Sequence, residues 1–171
     1  MSKFIPKTIG GIINFISLFS TTTASNIAIY IFSKPRKGSL KPKEKEYLSA
    51  TTQKIIYYKD IAIQTYHWQG NKPTVLLVHG WESNSYRWKD LITLLKMADY
   101  DIISIDAPAH GNSGNKIFNA LLYSECINEI LKQFNIHTII GHSVGGTSSA
   151  IALHNYKISS VKKLISLGAP S

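Results

Sequence analysis

Apolar positions along the chain follow two different periods, and the change between them divides it. In the first part Ile5, Ile9, Ile12, Ile13, Ile16 and Phe19 recur at helical spacing, and Ile27, Tyr30 and Ile31 continue the pattern. One or two amphipathic helices are expected between Thr8 and Ser33. Lys34 to Glu46 carries Pro35, Gly38 and Pro42 among charges, and reads as a solvated linker into a short helix. A boundary is therefore expected near residue 50, with residues 1–50 an amphipathic, basic leader and residues 51–171 the main domain. The leader should be dispensable for the geometry of any site farther along, at least through residue 46.

Beyond residue 50 the pattern becomes that of strands. Lys54–Tyr58 and Ile61–Trp68 are β-rich runs separated by Lys59-Asp60, a hairpin signal, and Gly70 to Pro73 is a turn. Thr74–His79 is a continuous apolar run, as a parallel strand buried on both faces requires. After it the periods alternate. Tyr86–Met97, Asn119–Phe134 and Val144–His154 read as helices; Asp101–Asp106, His137–Gly141 and Val161–Leu167 read as strands. Strands alternating with helices of this length predict an α/β fold: a mostly parallel, doubly wound sheet preceded by an antiparallel hairpin.

Composition narrows the picture. One cysteine, Cys126, excludes an internal disulfide and any cysteine-based metal cluster, and suits a reducing, cytoplasmic setting. The net charge is +9, but residues 1–46 hold eight Lys or Arg against Glu44 and Glu46, so most of it lies in the leader. A uniform basic face for nucleic acid is not indicated. From Thr8 to Ser33 no residue is charged, yet Asn14, Ser17, Ser20, Thr21 to Thr23, Ser25 and Asn26 interrupt the run. A spanning helix wants about 20 predominantly apolar residues, and this segment falls short. Helices packed on the domain are the plainest reading; peripheral membrane contact through residues 8–45, a signal peptide or an anchor are the alternatives.

Candidate chemistry centres on Gly141-His142-Ser143-Val144-Gly145, which fits G-x-S-x-G between a predicted strand and a predicted helix. A serine nucleophile must stand on a very sharp turn, with its hydroxyl exposed above the sheet. Glycines two residues to either side, Gly141 and Gly145, let strand and helix approach closely. The first amides of the helix then face the site, where they can stabilise a developing oxyanion. Ser143 is thus the expected catalytic nucleophile.

Two further motifs precede it. His79-Gly80-Trp81 follows the central apolar strand, and Asp106-Ala107-Pro108-Ala109-His110-Gly111-Asn112-Ser113-Gly114 follows the next one. Together the three motifs resemble the α/β-hydrolase superfamily, from about Lys54 to Ser171; the second loop resembles its D-x-P-G-H-G-x-S pattern, with Ala109 in place of glycine. The resemblance implies an oxyanion hole built from the backbone N–H groups of Trp81 and Val144, with Gly80 as a loop glycine. It implies structural roles for His79, Asp106 and His110. It further implies hydrolysis of a small-molecule, ester-like substrate through an acyl-enzyme, without metal or organic cofactor. Serine rather than aspartate at position 143 argues against dehalogenase or epoxide-hydrolase chemistry. His67, His137, His142 and His154 read as core or surface residues. In this fold the acid and the histidine of the triad follow the serine, but no Asp or Glu follows Glu129. The general base and acid are therefore expected past the end of this chain, with the sheet truncated after the strand following the nucleophile helix. The rival expectation is a catalytically inactive remnant with a binding or membrane-associated role.

Overall fold

The structure is a computed structural model that describes residues 4–169; Lys3 and the closing Pro170-Ser171 of the sequence reading lie outside the described residues. It contains two compact units, which divide between Lys34 and Pro35. The first is a pair of helices, α1 (Phe4–Ser17) and α2 (Thr21–Phe32), packed on each other across a three-residue connection. Ser20 starts α2 because its hydroxyl accepts the Thr23 N–H at 3.2 Å, satisfying a donor the helix itself leaves free. Phe15, Leu18, Phe19, Ile29 and Phe32 are exposed. No helix among the described residues is long and apolar enough to cross a membrane.

The second unit opens with α3 (Pro42–Ser49) and the antiparallel hairpin β1 (Thr52–Tyr58) and β2 (Ile61–Trp68). It continues with β3 (Lys72–Val78), a 3-10 turn (Ser85–Trp88), α4 (Lys89–Met97), β4 (Tyr100–Ile105), α5 (Ala120–Gln133), β5 (Ile136–His142), α6 (Val144–Tyr156) and β6 (Lys163–Leu167). The six strands form one sheet in the order β1-β2-β4-β3-β5-β6. β2 meets β4 antiparallel, and β4, β3, β5 and β6 run parallel. The α/β sheet expected from the alternating periods, parallel and preceded by a hairpin, is the fold observed. Where one helix was expected over Tyr86–Met97 there are two pieces. Asn84 accepts the Tyr86 N–H with its side-chain oxygen and sets a tight 3-10 turn before α4 begins.

Successive side chains of a strand point to opposite faces, and both faces are covered. Leu76 and Val78 of β3, with Ile103, Ile105 and Ile139, face Tyr123, Ile127 and Ile130 of α5 and Ala152 of α6. Val75 and Leu77, with Ile102 and Ile140, pack in the other direction with Trp88, Ile92 and Leu48. Leu76, Leu77, Ile102 and Ile103 are fully buried, and burying each such side chain stabilises the fold by about 1.5–3 kcal/mol. This explains why β3 has no polar alternation.

Register then determines where the loops emerge. Val78 of β3 pairs with both Ile105 of β4 and Gly141 of β5, so these three strands end at one level. The loops that follow them leave from the same edge of the sheet. The segment before α3 leads into a short helix as expected and keeps Arg36, Lys37 and Lys41 exposed, but it is also anchored: Leu40 is buried, and Gly38 is packed against the His110 ring. Pro42 begins α3, and the Lys41 N–H donates to the Glu44 carboxylate at 2.9 Å, so this segment has a fixed conformation of its own.

Candidate active site

Ser143 is the single residue between β5 and α6, and its backbone stands at φ 52, ψ −130. Positive φ in a residue with a side chain is strained by about 1–3 kcal/mol and persists only where its surroundings enforce it. Here they do. The Ser143 N–H donates to the Leu167 carbonyl of β6 at 2.8 Å, and the Ser143 carbonyl accepts the N–H groups of Gly146 and Thr147 at 2.9 and 3.3 Å. The chain therefore reverses sharply with both peptide groups of Ser143 engaged.

Glycines make that reversal sterically possible. A Cβ on Gly141 would lie 2.6 Å from the Gly146 Cα, and one on Gly145 would lie 2.4 Å from the His79 carbonyl oxygen. A third position, Gly146, was not singled out in the sequence: a Cβ there would meet the Ser166 Oγ at 2.3 Å. Its signal was the Gly145-Gly146 pair at a helix start, where helix propensity is poor. Gly80 brings the upstream loop in. A Cβ on it would stand 3.0 Å from the Ser143 Cβ and 2.9 Å from the His142 carbonyl oxygen, so the His79-Gly80-Trp81 backbone lies against the serine turn. Among the described residues, no protein carbonyl accepts a hydrogen bond from the N–H of Trp81 or Val144.

The histidines near this edge have fixed protonation. His79 is fully buried; its Nδ1–H donates to the Gly80 carbonyl at 2.8 Å, and its Nε2 accepts the Ala107 N–H at 2.9 Å. Burial pushes its pKa down to about 3, so it is neutral and Asp106 at 4.0 Å forms no true ion pair with it. His110 repeats the arrangement: Nδ1–H donates to the Pro108 carbonyl at 2.8 Å, and Nε2 accepts the Glu82 N–H at 3.0 Å. Burial lowers its pKa too. With its one lone pair occupied, neither ring can take a proton from Ser143. Both tie one loop to another.

Asp106 is the hub of the second loop. Its carboxylate accepts N–H groups from Ser85 and Asn112 at 2.8 and 2.9 Å and the Tyr66 hydroxyl at 2.9 Å. Burial raises its pKa while these donors favour the ionised form. Tyr66 is in turn pushed far above the ordinary phenol range by burial and by Asp106. Ser113 closes the loop, donating to the Asp106 carbonyl at 2.7 Å and accepting the Gln64 N–H at 2.9 Å.

The remaining histidines lie elsewhere or lack a partner. His67 bonds Asp101 at the start of β4, and His137 bonds Thr138 near the start of β5. His154 is on the far part of α6. His142 adjoins Ser143, but its Nδ1 is buried without a hydrogen-bond partner, and desolvation and the Arg87 charge lower its pKa. Among the described residues no histidine is hydrogen-bonded to the Ser143 hydroxyl, and no group of three metal-ligating side chains occurs. An open depression lined by Lys72, Thr74, His137 and Lys162 lies at the opposite, amino ends of the strands. Open α/β sheets bind ligands beyond the carboxyl ends of their strands, which favours the Ser143 edge over that depression.

Comparison with known proteins agrees with this architecture. A family model described as the alpha/beta hydrolase fold matches residues 73–171. A probable serine hydrolase of Drosophila melanogaster is 30% identical over 109 residues, 58% of this chain and 32% of that protein. A pimeloyl-acyl-carrier-protein methyl ester esterase of Vibrio vulnificus is 28% identical over 111 residues, 60% of this chain and 40% of that one. An esterase from Exiguobacterium antarcticum, of known structure, superimposes with a TM-score of 0.64 at 27% identity, covering 69% of this chain and 46% of its own. The chain thus spans less than half the length of these proteins.

Proposed function

Because the chain belongs to the α/β-hydrolase fold family, we propose that it is the nucleophile-bearing part of a serine hydrolase that cleaves a small-molecule, ester-like bond. The observation that carries this reading is Ser143 at φ 52 between strand and helix, with the Gly80 backbone against it. The Ser143 Oγ attacks the acyl carbon and its proton passes to a general base. The N–H groups of Trp81 and Val144 receive the charge that develops on the carbonyl oxygen. Collapse expels the protonated alcohol and leaves the acyl group on Ser143; water, deprotonated by the same base, then releases the acid and restores the serine.

The base and its orienting acid belong, in this reading, to sequence beyond residue 171. The locked tautomers of His79 and His110 support that assignment, since neither has a lone pair to offer. The peripheral membrane role of residues 8–45 is proposed alongside it, for a cytoplasmic enzyme that visits a lipid surface.

The test compares the 171-residue chain with a form extended through the acid and histidine. A fluorophosphonate probe should label the extended form at Ser143, and p-nitrophenyl acetate turnover should fall by roughly a millionfold in Ser143→Ala, the order seen when a triad member is removed. The 171-residue chain should label weakly. Labelling that persists in Ser143→Ala would overturn the nucleophile. Strong labelling of the short chain, lost in Ser143→Ala, would overturn the placement of the base.

A further inference from the structure

Glu82 lies two residues beyond Gly80 and stands at φ 51, a left-handed conformation unusual for a residue with a side chain. Two contacts hold it there, one at each end of the residue. Its N–H donates to the His110 Nε2 at 3.0 Å, and its carboxylate accepts the Arg36 N–H at 2.9 Å. The second partner comes from the segment the sequence presents as a linker. That segment makes more contacts of the same kind. The Gly38 carbonyl accepts the Gly111 N–H at 2.9 Å and the Asn84 side-chain amide at 3.4 Å. Gly38 itself, at φ 106, is so close to His110 that a Cβ would lie 2.6 Å from the ring Cδ2 and 3.0 Å from the Ser83 carbonyl oxygen.

We propose that residues 35–40 are a strap that positions the Trp81 N–H, by fixing Glu82 directly and His110 through Gly38. The strap crosses both loops that leave β3 and β4. Trp81 stands between Gly80, which is set against Ser143, and Glu82, which the strap holds. Its ring also meets the rings of His110 and Phe118, with centroids 5.6 and 5.2 Å away. The Trp81 peptide is thus oriented from its own side chain and from the residue after it. Arg36, Gly38 and Glu82 are positioning residues; none touches Ser143. On this proposal the portion from Pro35 onward bears on the site, against the dispensability expected of residues 1–46.

The inference rests on the serine-hydrolase reading for its consequence but not for its geometry, and the test separates the two. Three variants are compared: Gly38→Ala, Glu82→Ala and Glu82→Gln, the last retaining an oxygen for the Arg36 N–H. The first measurement is amide hydrogen exchange of the 79–84 segment in the 171-residue chain. Gly38→Ala and Glu82→Ala should speed exchange of the Glu82 N–H about tenfold or more while the strand amides keep their protection, and Glu82→Gln should resemble the unsubstituted protein. The second is ester turnover in the extended form. Loss of a whole oxyanion donor costs about 10²–10³ in kcat, so a misplaced one should lower kcat on the order of tenfold with KM little changed. Unchanged exchange at 79–84 in both Glu82→Ala and Gly38→Ala would overturn the strap, as would a uniform rise across the sheet. Faster local exchange with unaltered kcat would overturn its positioning role. Absence of turnover in every form, with the exchange pattern as expected, would sink the hydrolase reading and leave the strap standing. Should Gly38→Ala fail to fold, the Glu82 pair decides alone.

Discussion

Ala109 sits at φ 63, at the one place where the second loop departs from the glycine that the related pattern carries. Its N–H is bonded to the Gly114 carbonyl at 2.8 Å, so the conformation is imposed by the loop. A left-handed residue with a Cβ costs roughly 1–2 kcal/mol, of which glycine's greater freedom in the unfolded chain returns about 0.5–1 kcal/mol. Ala109→Gly should therefore stabilise the protein by up to about 1 kcal/mol, read as a higher urea midpoint at unchanged slope. The two locked histidines make a second prediction at this scale. Both have pKa values lower in the fold than in the unfolded chain, that of His79 at about 3. The unfolded state consequently binds more protons as pH falls through about 6.5, and stability must drop in that direction. Above that pH their contribution is complete. Urea unfolding at pH 7, 6 and 5 should show stability falling with pH, by about 1 kcal/mol per pH unit near pH 6 from His79 and further in the same direction from His110. His110→Gln should make the fall less steep, and an unaltered slope would contradict the assignment.

At the level of elements, the contact between α6 and the strands beneath it depends on backbone approaching backbone. The Gly145 Cα is close enough to β3 that a methyl group would meet the carbonyl oxygens of Val78 and His79 at 2.5 and 2.4 Å. Neither oxygen can swing away, because each belongs to the strand end or the loop that the register fixes. Gly145→Ala should cost at least about 2–3 kcal/mol, the upper range of overpacking, in a thermal melt. Gly146→Ala should cost less, since the nearest atom is the Ser166 hydroxyl, the free end of a short side chain. These contacts bear on what was legible beforehand. The sheet was, because strands buried on both faces must be runs of Val, Ile and Leu, as Thr74–Val78 is. The sharp turn at Ser143 was, because its glycines recur at fixed spacing. The strap was not. It works through the Arg36 N–H, the Gly38 carbonyl and the absence of one methyl group, none of which produces a period, and its partners lie 46 and more positions away. The 3-10 break before α4 escaped for a related reason, since helical spacing through Trp88 and Leu91 is the same whether or not the turn tightens at Ser85.

At the scale of the whole molecule, the first unit combines exposed apolar side chains with an uncharged run bounded by cationic residues in the sequence. No Asp or Glu occurs before Glu44, while Lys3 and Lys7 precede the uncharged run and Lys34, Arg36 and Lys37 follow it. Because α1 and α2 pack on each other across the Leu18–Ser20 connection, that run is folded in two. Lys7, in the first half of α1, and Lys34, just past α2, therefore belong to the open end of the pair, and the connecting end carries Phe15, Leu18 and Phe19, each more than 60% exposed. A span would put Lys7 and Lys34 on opposite sides of a bilayer; a folded pair puts them on one. The arrangement suits a pair lying along an anionic leaflet, with its exposed apolar side chains entering shallowly and Lys7 and Lys34 at the headgroups. Each Lys or Arg near such a surface contributes about 1 kcal/mol, and each buried apolar side chain about 1.5–3 kcal/mol at most. The protein should therefore sediment with phosphatidylserine-containing vesicles more strongly than with neutral phosphatidylcholine vesicles. Raising salt from about 0.1 M to 1 M shortens the screening length from about 10 Å to 3 Å, and should weaken that binding. Replacing Leu18 and Phe19 together by serine should weaken it by at least about tenfold while leaving the circular dichroism of the sheet domain unchanged. Equal binding to neutral and anionic vesicles would remove the lysines from the account, and binding untouched by the Leu18 and Phe19 substitutions would remove the connecting end.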